Sequence, residues 1–300
     1  ILRCLKETLK GGNCRIINKK IENIVIENEK ISKIFDADGN EYITNYVIIA
    51  TGGLSYPVTG SDGDGYAFAR ALGHTVTPLL PSLVPMTSQS KLCPSLQGLS
   101  LKNVSLSIVD KASGKEVYSD FGEMMFTHFG LTGPMILSAS AHIPDISEGK
   151  YEARINLKPA LDERTLDARL RSDFDKHKNR DLINSLDDLL PQKMIEPFVS
   201  LCEIDPRKKI HSVTREERAR MVQTLKRLRI PLATFRPLDE AIVTRGGIDV
   251  REVRPGSMES KLIKGLYFAG EIIDCDAYTG GFNLQIAWAT AYAAAMAVMD

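Results

Sequence analysis

The sequence has no excess of charge of either sign, with 38 lysines and arginines against 38 aspartates and glutamates in 300 residues. Proteins that bind nucleic acid usually carry a basic domain or stripe. The balance therefore disfavours a nucleic-acid partner, and short basic runs such as Arg207–Lys209 are predicted to be solvated surface. We expect a small-molecule substrate, and the composition leaves the oligomeric state open.

Cysteine pairs and metal-binding clusters are also missing. The cysteines are odd in number, scattered, without a C-x-x-C pair and without a histidine at metal-ligand spacing: Cys4, Cys14, Cys93, Cys202 and Cys275. Thiols of this kind are typical of a reducing compartment. The sequence therefore predicts a cytoplasmic protein with no disulfides and no metal site.

No apolar run is long enough to predict a membrane span. The longest, Ile286–Met299, is rich in alanine and falls short of the ~20 apolar residues that cross a bilayer. It predicts a buried core helix and no contact with a membrane. At the other end, Ile1 to Lys10 carries leucines at helical spacing and Gly11-Gly12 supplies a stop, so we expect the chain to begin inside a domain.

A glycine-rich nucleotide-binding motif is absent as well. No predicted strand leads into G-x-G-x-x-G, and Gly60-Ser-Asp-Gly63-Asp-Gly65 has the wrong spacing. Ser113-Gly114-Lys115 lacks the upstream glycine and the preceding buried strand of a P-loop. The sequence therefore contains neither of these two phosphate-binding turns.

The patterns that are present predict an α/β domain split by an insertion. Short strands are expected first, at Cys14–Asn18, Ile24–Glu27 and Ile31–Phe35. Tyr46–Thr51 and Gly265–Gly270 are apolar runs that end in glycine, as expected for parallel strands buried on both faces.

The stretch between those two runs differs in pattern. It alternates apolar and polar residues up to about residue 160, as antiparallel strands with one wet face do, and then becomes a series of short helices. We predict a discontinuous α/β domain of residues 1–84 and 236–300, with residues 85–235 inserted. Within the insertion, residues 85–160 are predicted to be β-rich and residues 161–235 helical.

Two glycine-rich segments follow the apolar strands and are candidate ligand sites. In Ala50-Thr51-Gly52-Gly53, glycine lets the backbone pass close to a ligand. In the second, Glu271 ends the strand, and Gly280-Gly281 precedes a helix whose first N–H groups are unpaired and partly positive. Taken singly, each segment also fits a tight turn or a helix start without any ligand.

In their order along the chain, the segments strongly resemble the BaiN-like, aminoacetone-oxidase-like family of NAD(P)/FAD-dependent oxidoreductases. The resemblance rests on VIIATGGLSYPVTG, GEMMFTHFGLTGP and KGLYFAGEIIDCDAYTGGFNLQ, and it extends from about Val47 to the C-terminus. It implies a FAD domain of the two-dinucleotide-binding-domain type with a large insertion. Such proteins begin with a strand, a G-x-G-x-x-G turn and a helix, and this first βαβ unit is missing here.

The resemblance also implies where FAD lies. Thr51, Gly52 and Gly53 would be near its adenosine and pyrophosphate, and Gly270 and Glu271 near the ribityl chain or pyrophosphate. The isoalloxazine would be lined by Gly280, Gly281, Phe282, Asn283 and Leu284. Because the first βαβ unit is missing, we expect the chain itself to hold FAD weakly or not at all.

The catalytic candidates are fewer. His128 lies in the family motif Thr127–Pro134 and is a candidate proton donor, because histidine titrates near neutral pH; fixing its loop is the competing interpretation. Tyr278 and Tyr56 are candidate hydrogen-bond donors to substrate, with packing as the alternative. Cys275 lies between two aspartates and should resist forming a thiolate. The other histidines are predicted to be structural or on the surface: His74, His142, His177 and His211.

The implied function is hydride transfer from NAD(P)H through the flavin to an unsaturated or keto organic substrate, or to oxygen. Two alternatives stay open. In the first alternative, the chain is a truncated, non-catalytic folding or interaction unit that binds no cofactor. In the second, it is a fumarate-reductase-like flavoenzyme, for which Arg245 is the candidate proton donor beside a family motif.

Overall fold

The computed structural model describes residues 2–10, 14–176 and 179–299. Gly11-Gly12, the expected helix stop, and His177 lie outside these residues.

The N-terminal part forms one helix and an antiparallel meander. Helix α1 covers Leu2–Lys10, and the strands β1 (Ile21–Glu27), β2 (Lys30–Asp36) and β3 (Glu41–Ile43) pair in that order. The strand predicted over Cys14–Asn18 is wrong. These residues are exposed and pair with no strand in the described part of the chain, and a short alternating run without a partner does not make a stable strand.

A strand, a loop and a helix follow the meander. Strand β4 covers Val47–Ile49, and helix α2 covers Asp64–Ala71. A β-carbon on Gly65 would lie 2.1 Å from Thr51 Oγ1 and 2.5 Å from Ile272 Cδ1. Glycine at this position therefore lets α2 pack directly against the end of β4.

The middle of the chain contains a six-stranded antiparallel sheet. Its elements and their near neighbours, in chain order, are β5 (Leu80–Ser82), β6 (Met86–Thr87), α3 (Leu92–Ser95), β7 (Ser100–Asp110), β8 (Glu116–Phe126), β9 (Gly130–Thr132), α4 (Pro134–Ala141) and β10 (Tyr151–Asn156). A hairpin turn at Ser113-Gly114 joins β7 to β8, and the Gly114 N–H donates to the Asp110 carbonyl at 2.8 Å.

Three helices cover this sheet, and a last strand completes it. They are α5 (Glu163–Lys176), α6 (Gln192–Leu201), α7 (Arg215–Lys226) and β11 (Leu228–Pro231). The sheet order is β11-β10-β7-β8-β9-β6. A capping box begins α7: the Glu217 N–H donates to Thr214 Oγ1 (3.2 Å), and the Thr214 N–H donates to Glu217 Oε2 (2.7 Å).

The chain then returns to the N-terminal part. Strand β12 (Val243–Arg245) pairs antiparallel with β5, and β13 (Leu266–Phe268) pairs parallel with β4. The two apolar runs thus share a sheet, as predicted. β13 is buried, but Ile48 in β4 is 40% exposed, so the prediction that both strands are buried on both faces is wrong for β4. In the described residues β4 has a strand on one edge only.

The last helix, α8 (Phe282–Met299), corrects a second prediction. It is largely exposed in the described structure, where Ala294 is its one buried residue; Trp288 is 49% and Tyr292 69% exposed. A helix that is apolar all round is usually covered, and composition alone does not say by what. By length and composition α8 also passes as a membrane-spanning helix, and a single such helix is weak evidence for a membrane.

Candidate functional site

The two segments predicted to bind a ligand meet at one edge of the parallel strand pair. Because β4 and β13 run in the same direction, the loops at their carboxyl ends emerge side by side. The Ser55 hydroxyl donates to Glu271 Oε1 at 2.9 Å, and a β-carbon on Gly53 would lie 2.5 Å from the same oxygen. The two segments are therefore in contact at this edge, and their role in binding a ligand stays a prediction.

Glu271 is the hydrogen-bond centre of this edge. Its Oε1 atom also accepts from the Thr244 N–H at 2.8 Å, and Thr244 Oγ1 accepts from the Leu54 and Ser55 N–H groups at 2.8 and 3.2 Å. The carboxylate therefore joins β12 to the loop after β4. A role for Glu271 at the ribityl chain or pyrophosphate stays a prediction, as does a cofactor contact of the neighbouring Gly270.

The start of α8 lies next to Glu271 and is open. Gly280 and Gly281 have φ values of +108° and +95°, which favour glycine, and a β-carbon on Gly281 would meet nothing within 4 Å. Phe282 and Leu284 are 59% and 63% exposed. A cavity of about 210 Å³ extends from here to the strand ends, lined by Ile242, Val243, Glu271, Cys275, Asn283, Leu284, Ile286 and Ala287.

Asn283 uses its side chain within the protein. Its Oδ1 accepts from the Ala277 N–H at 2.8 Å, and its Nδ2 donates to the Ala277 carbonyl at 2.7 Å. This two-way contact fixes the segment before α8 against the first turn of the helix. Asn283 is therefore available to a ligand at this end through its backbone rather than its amide.

Thr51 and Gly52 lie on the other side of β4. Gly52 has a φ of +78°, and a β-carbon there would lie 2.6 Å from Ser61 Oγ, so the loop folds back tightly on itself. Thr51 lines a larger groove of about 500 Å³ that follows the free side of β4 and includes Ile48, Gly60 and Phe68. Lys20, paired with Asp62 (3.2 Å) and Asp64 (2.8 Å), contributes charge to its rim.

His128 lies in the turn between β8 and β9 and is exposed. Its ring meets Phe129 of the same turn edge-on, with centroids 5.0 Å apart, and Arg236 lies over that phenyl ring at 4.6 Å. The turn is held by Thr127, whose N–H donates to the Gly130 carbonyl and whose Oγ1 accepts from the Gly130 N–H. The ring contact of His128 stays within this turn and does not reach the start of α8. A role of His128 in proton donation stays a prediction.

Tyr278 lies near the start of α8 and contacts a histidine that sequence reasoning had set aside. Its Oη atom is 2.6 Å from His142 Nε2, and the two rings are stacked with centroids 5.5 Å apart. The residues are 136 positions apart, and no local motif surrounds His142. Tyr56 is 49% exposed and adopts a left-handed conformation (φ +49°). Its role as a hydrogen-bond donor to substrate stays a prediction.

Two other residues behave in ways that bear on function. Arg245 Nη2 donates to the carbonyls of Ser140 and Ala141 at 3.1 and 2.9 Å, so its guanidinium caps the C-terminal end of α4.

Burial, with Asp276 and Asp274 nearby, raises the pKa of the Cys275 thiol, which agrees with the expectation that it resists ionisation. In the part of the chain that the structure describes, no three His, Cys, Asp or Glu side chains are arranged to hold a metal ion.

Several known proteins have sequences similar to that of this chain. The family described as "HI0933-like protein Rossmann domain" matches residues 1–297. The chain is 29% identical over 270 residues to the 3-dehydro-bile acid delta(4,6)-reductase of Clostridium scindens, covering 89% of this chain and 65% of that protein. It is 31% identical over 295 residues to the ribosomal RNA dihydrouridine synthase of Escherichia coli, covering 98% of this chain and 70% of that protein.

The chain therefore spans about two thirds of the length of these relatives. Among solved structures, Aquifex aeolicus GidA matches with a TM-score of 0.35 and 12% identity, over 98% of this chain and 50% of that one. That similarity is too low to support a functional conclusion.

Proposed function

We propose that this chain, which belongs to the HI0933-like Rossmann family, acts as a FAD-dependent oxidoreductase. The observation that carries the proposal is the open, glycine-rich start of α8 beside the carboxyl ends of two paired parallel strands. In α/β sheets this edge is where ligands bind.

The residues at this edge fit a flavin. The N–H groups of the first turn of α8 lack intrahelical partners, and the exposure of Phe282 and Leu284 leaves room for a ring system. Gly281, Phe282 and Asn283 would hold the pyrimidine edge through backbone N–H groups, where a helix N-terminus favours negative charge. Bound FAD supplies hydride-transfer chemistry, and the chain orients it and excludes water.

We further propose that the substrate has a carbon–carbon double bond conjugated to a carbonyl. The Clostridium relative is named for reducing delta(4,6) bonds of a 3-dehydro compound, and the Escherichia relative for making dihydrouridine. Both products arise by adding two hydrogens across a ring double bond that is conjugated to a carbonyl. We therefore propose that this chain acts on an unsaturated organic substrate, with NAD(P)H as the electron donor.

A small molecule and RNA are the two candidate classes of substrate. The Escherichia relative is named for an RNA substrate. The balance of 38 positive against 38 negative side chains favours a small molecule in a cytoplasmic setting, because RNA binding depends on excess positive charge. Arg245 does not support the fumarate-reductase-like alternative, because its Nη2 donates hydrogen bonds to the carbonyls at the end of α4.

The test uses the protein produced from its own complete gene. A visible spectrum shows whether flavin is bound, and anaerobic mixing with NADH or NADPH shows which one reduces it. Reoxidation is then followed after adding 2-cyclohexenone, cyclohexanone or a uridine-containing RNA. We expect rapid reoxidation by the enone and none by the saturated ketone. A colourless protein contradicts the proposal and favours the non-catalytic alternative; reoxidation by RNA alone overturns the small-molecule part.

A further inference from the structure

A tyrosine and a histidine from distant parts of the chain meet beside the proposed flavin site. Tyr278 belongs to the segment before α8, and His142 is the residue that ends α4. Tyr278 Oη and His142 Nε2 are 2.6 Å apart, and the ring planes are inclined by 24°. The phenol and the imidazole therefore share one hydrogen bond and one stacking contact.

Hydrogen bonds from neighbouring residues fix the positions of both Tyr278 and His142. The amide of Asn283 fixes Ala277, the neighbour of Tyr278, to the first turn of α8. On the other side, Arg245 Nη2 binds the Ser140 and Ala141 carbonyls immediately before His142. The pair is thus fixed both to the flavin-site loop and to the strand β12 that contacts Glu271.

The groups around the imidazole are few. Tyr118 packs on it with ring centroids 4.9 Å apart, and the Tyr118 hydroxyl donates to Asp120 Oδ2 at 2.8 Å. Burial and the bond to Asp120 raise the pKa of Tyr118 above its ordinary value, so Tyr118 stays protonated. Tyr278 is 48% exposed as a residue, and its contact with His142 lies at the protein surface.

We infer that Tyr278 is the proton donor in the proposed reduction and that His142 is its positioning residue. This inference rests on the proposed function. Bound reduced flavin would supply a hydride, with its two electrons, to one carbon of the double bond, and the π electrons would then move toward the carbonyl. Tyr278 then gives its hydroxyl proton to the carbon next to that carbonyl, and the phenolate regains a proton from water.

The role inferred for the histidine belongs to one tautomer of its imidazole. With its hydrogen on Nε2, His142 donates to Tyr278 Oη, which leaves the hydroxyl hydrogen of Tyr278 free to point at substrate. The same donor stabilises the phenolate that forms when the proton leaves. His142 thereby lowers the cost of the proton transfer without touching the substrate.

The first test needs no flavin. The ionisation midpoint of Tyr278 is obtained from tyrosinate absorbance, as the difference between the unmodified protein and Tyr278→Phe. Replacing His142 by phenylalanine keeps a stacked ring and removes the donor, and His142→Gln restores an N–H donor. Loss of one hydrogen bond should raise the Tyr278 midpoint by roughly half to one pH unit in His142→Phe, and His142→Gln should reverse most of it.

The second test follows oxidation of the reduced, flavin-loaded protein by 2-cyclohexenone. Tyr278→Phe should slow this step by roughly 10²- to 10⁴-fold, the range for general acid catalysis, and abolish its solvent deuterium isotope effect. Tyr292→Phe, an exposed tyrosine on α8, is the control and should match the unmodified protein.

The outcomes separate the two proposals. An unmodified protein that does not reduce the enone overturns the proposed function and this inference with it. The inference alone is overturned if the unmodified protein reduces the enone and Tyr278→Phe reduces it equally fast. It is also overturned if the Tyr278 ionisation midpoint is unchanged in His142→Phe.

Discussion

Gly53 and Thr244 lie so close that a β-carbon on Gly53 would be 2.4 Å from Thr244 Oγ1. That hydroxyl already accepts the N–H groups of Leu54 and Ser55, so it is not free to turn away. The contact explains why glycine follows β4 at this position without reference to any ligand. The loop geometry at the site is therefore built into the apoprotein.

Replacing Gly53 by alanine should destabilise the protein. The added methyl group meets Thr244 Oγ1 and, at 2.5 Å, Glu271 Oε1, so the loop must shift and strain its hydrogen bonds. We expect a loss of about 1–3 kcal/mol in the free energy of unfolding, measured by urea titration. Gly256→Ala is the matched control, because a β-carbon there meets nothing within 4 Å; equal stability losses in the two variants would contradict the account.

The buried His74 should make stability depend on pH. Its Nε2 is 2.8 Å from Ser260 Oγ, and among the described residues its Nδ1 has no hydrogen-bond partner. Burial lowers its pKa below the ordinary 6.5. The unfolded chain therefore binds a proton at higher pH than the folded protein. The contribution of neutral His74 to the free energy of unfolding is complete above pH 6.5. It is lost as the pH falls from there through the folded-state pKa of His74.

The measurement compares unfolding free energies at one pH above 6.5 and one below it. The slope from this residue is at most about 1.4 kcal/mol per pH unit. His74→Gln should flatten the dependence, while His128→Gln, at an exposed position, should leave it unchanged. An identical pH dependence in His74→Gln and the unmodified protein would contradict the assignment.

Cys275 should react slowly with iodoacetamide at neutral pH. Although Cys275 is exposed as a residue, partial desolvation of its thiol first, and then Asp276 and Asp274, raise the thiol pKa, and the thiolate is the reactive form. Asp276→Asn removes one of the two charges and should speed alkylation of Cys275 several-fold, measured by mass spectrometry of the peptide. Asp188→Asn, at an aspartate outside this loop, serves as the control. A rate unaffected by Asp276→Asn would show that the carboxylate does not control the thiol.

The parts of the fold set by local chemistry were predictable from sequence. The capping box at Thr214 follows from two side chains three residues apart, and the pairing of β4 with β13 follows from two apolar runs that end in glycine. The grouping of Gly53 with Glu271 follows in turn, because parallel strands place their carboxyl ends together.

Features that depend on distant contacts, and that the segment's own sequence pattern does not determine, were not predictable. Composition marked α8 as a buried helix, but exposure is decided by what packs against it, and most of α8 is open in the described residues. The short run Cys14–Asn18 has a strand-like pattern and no pairing partner. The contact of Tyr278 with His142 joins positions that no sequence motif connects.

The central claim is that the flavin pyrimidine edge lies at the Gly280–Asn283 turn. Gly281→Val should obstruct this approach and remove or displace a backbone N–H donor to the reduced ring. Gly98→Val is the control, because Gly98 also has a positive φ (+82°) and open space but lies outside the site; it accounts for backbone strain alone.

The deciding measurement is the flavin content and midpoint potential of these two variants and the unmodified protein, all made from the complete gene. Losing one donor to the reduced flavin, at roughly 1.5–3 kcal/mol, corresponds to a decrease of some tens of millivolts for a two-electron couple. The account predicts that Gly281→Val lowers flavin content or potential by this amount while Gly98→Val changes neither. Normal flavin content and potential in Gly281→Val would contradict it.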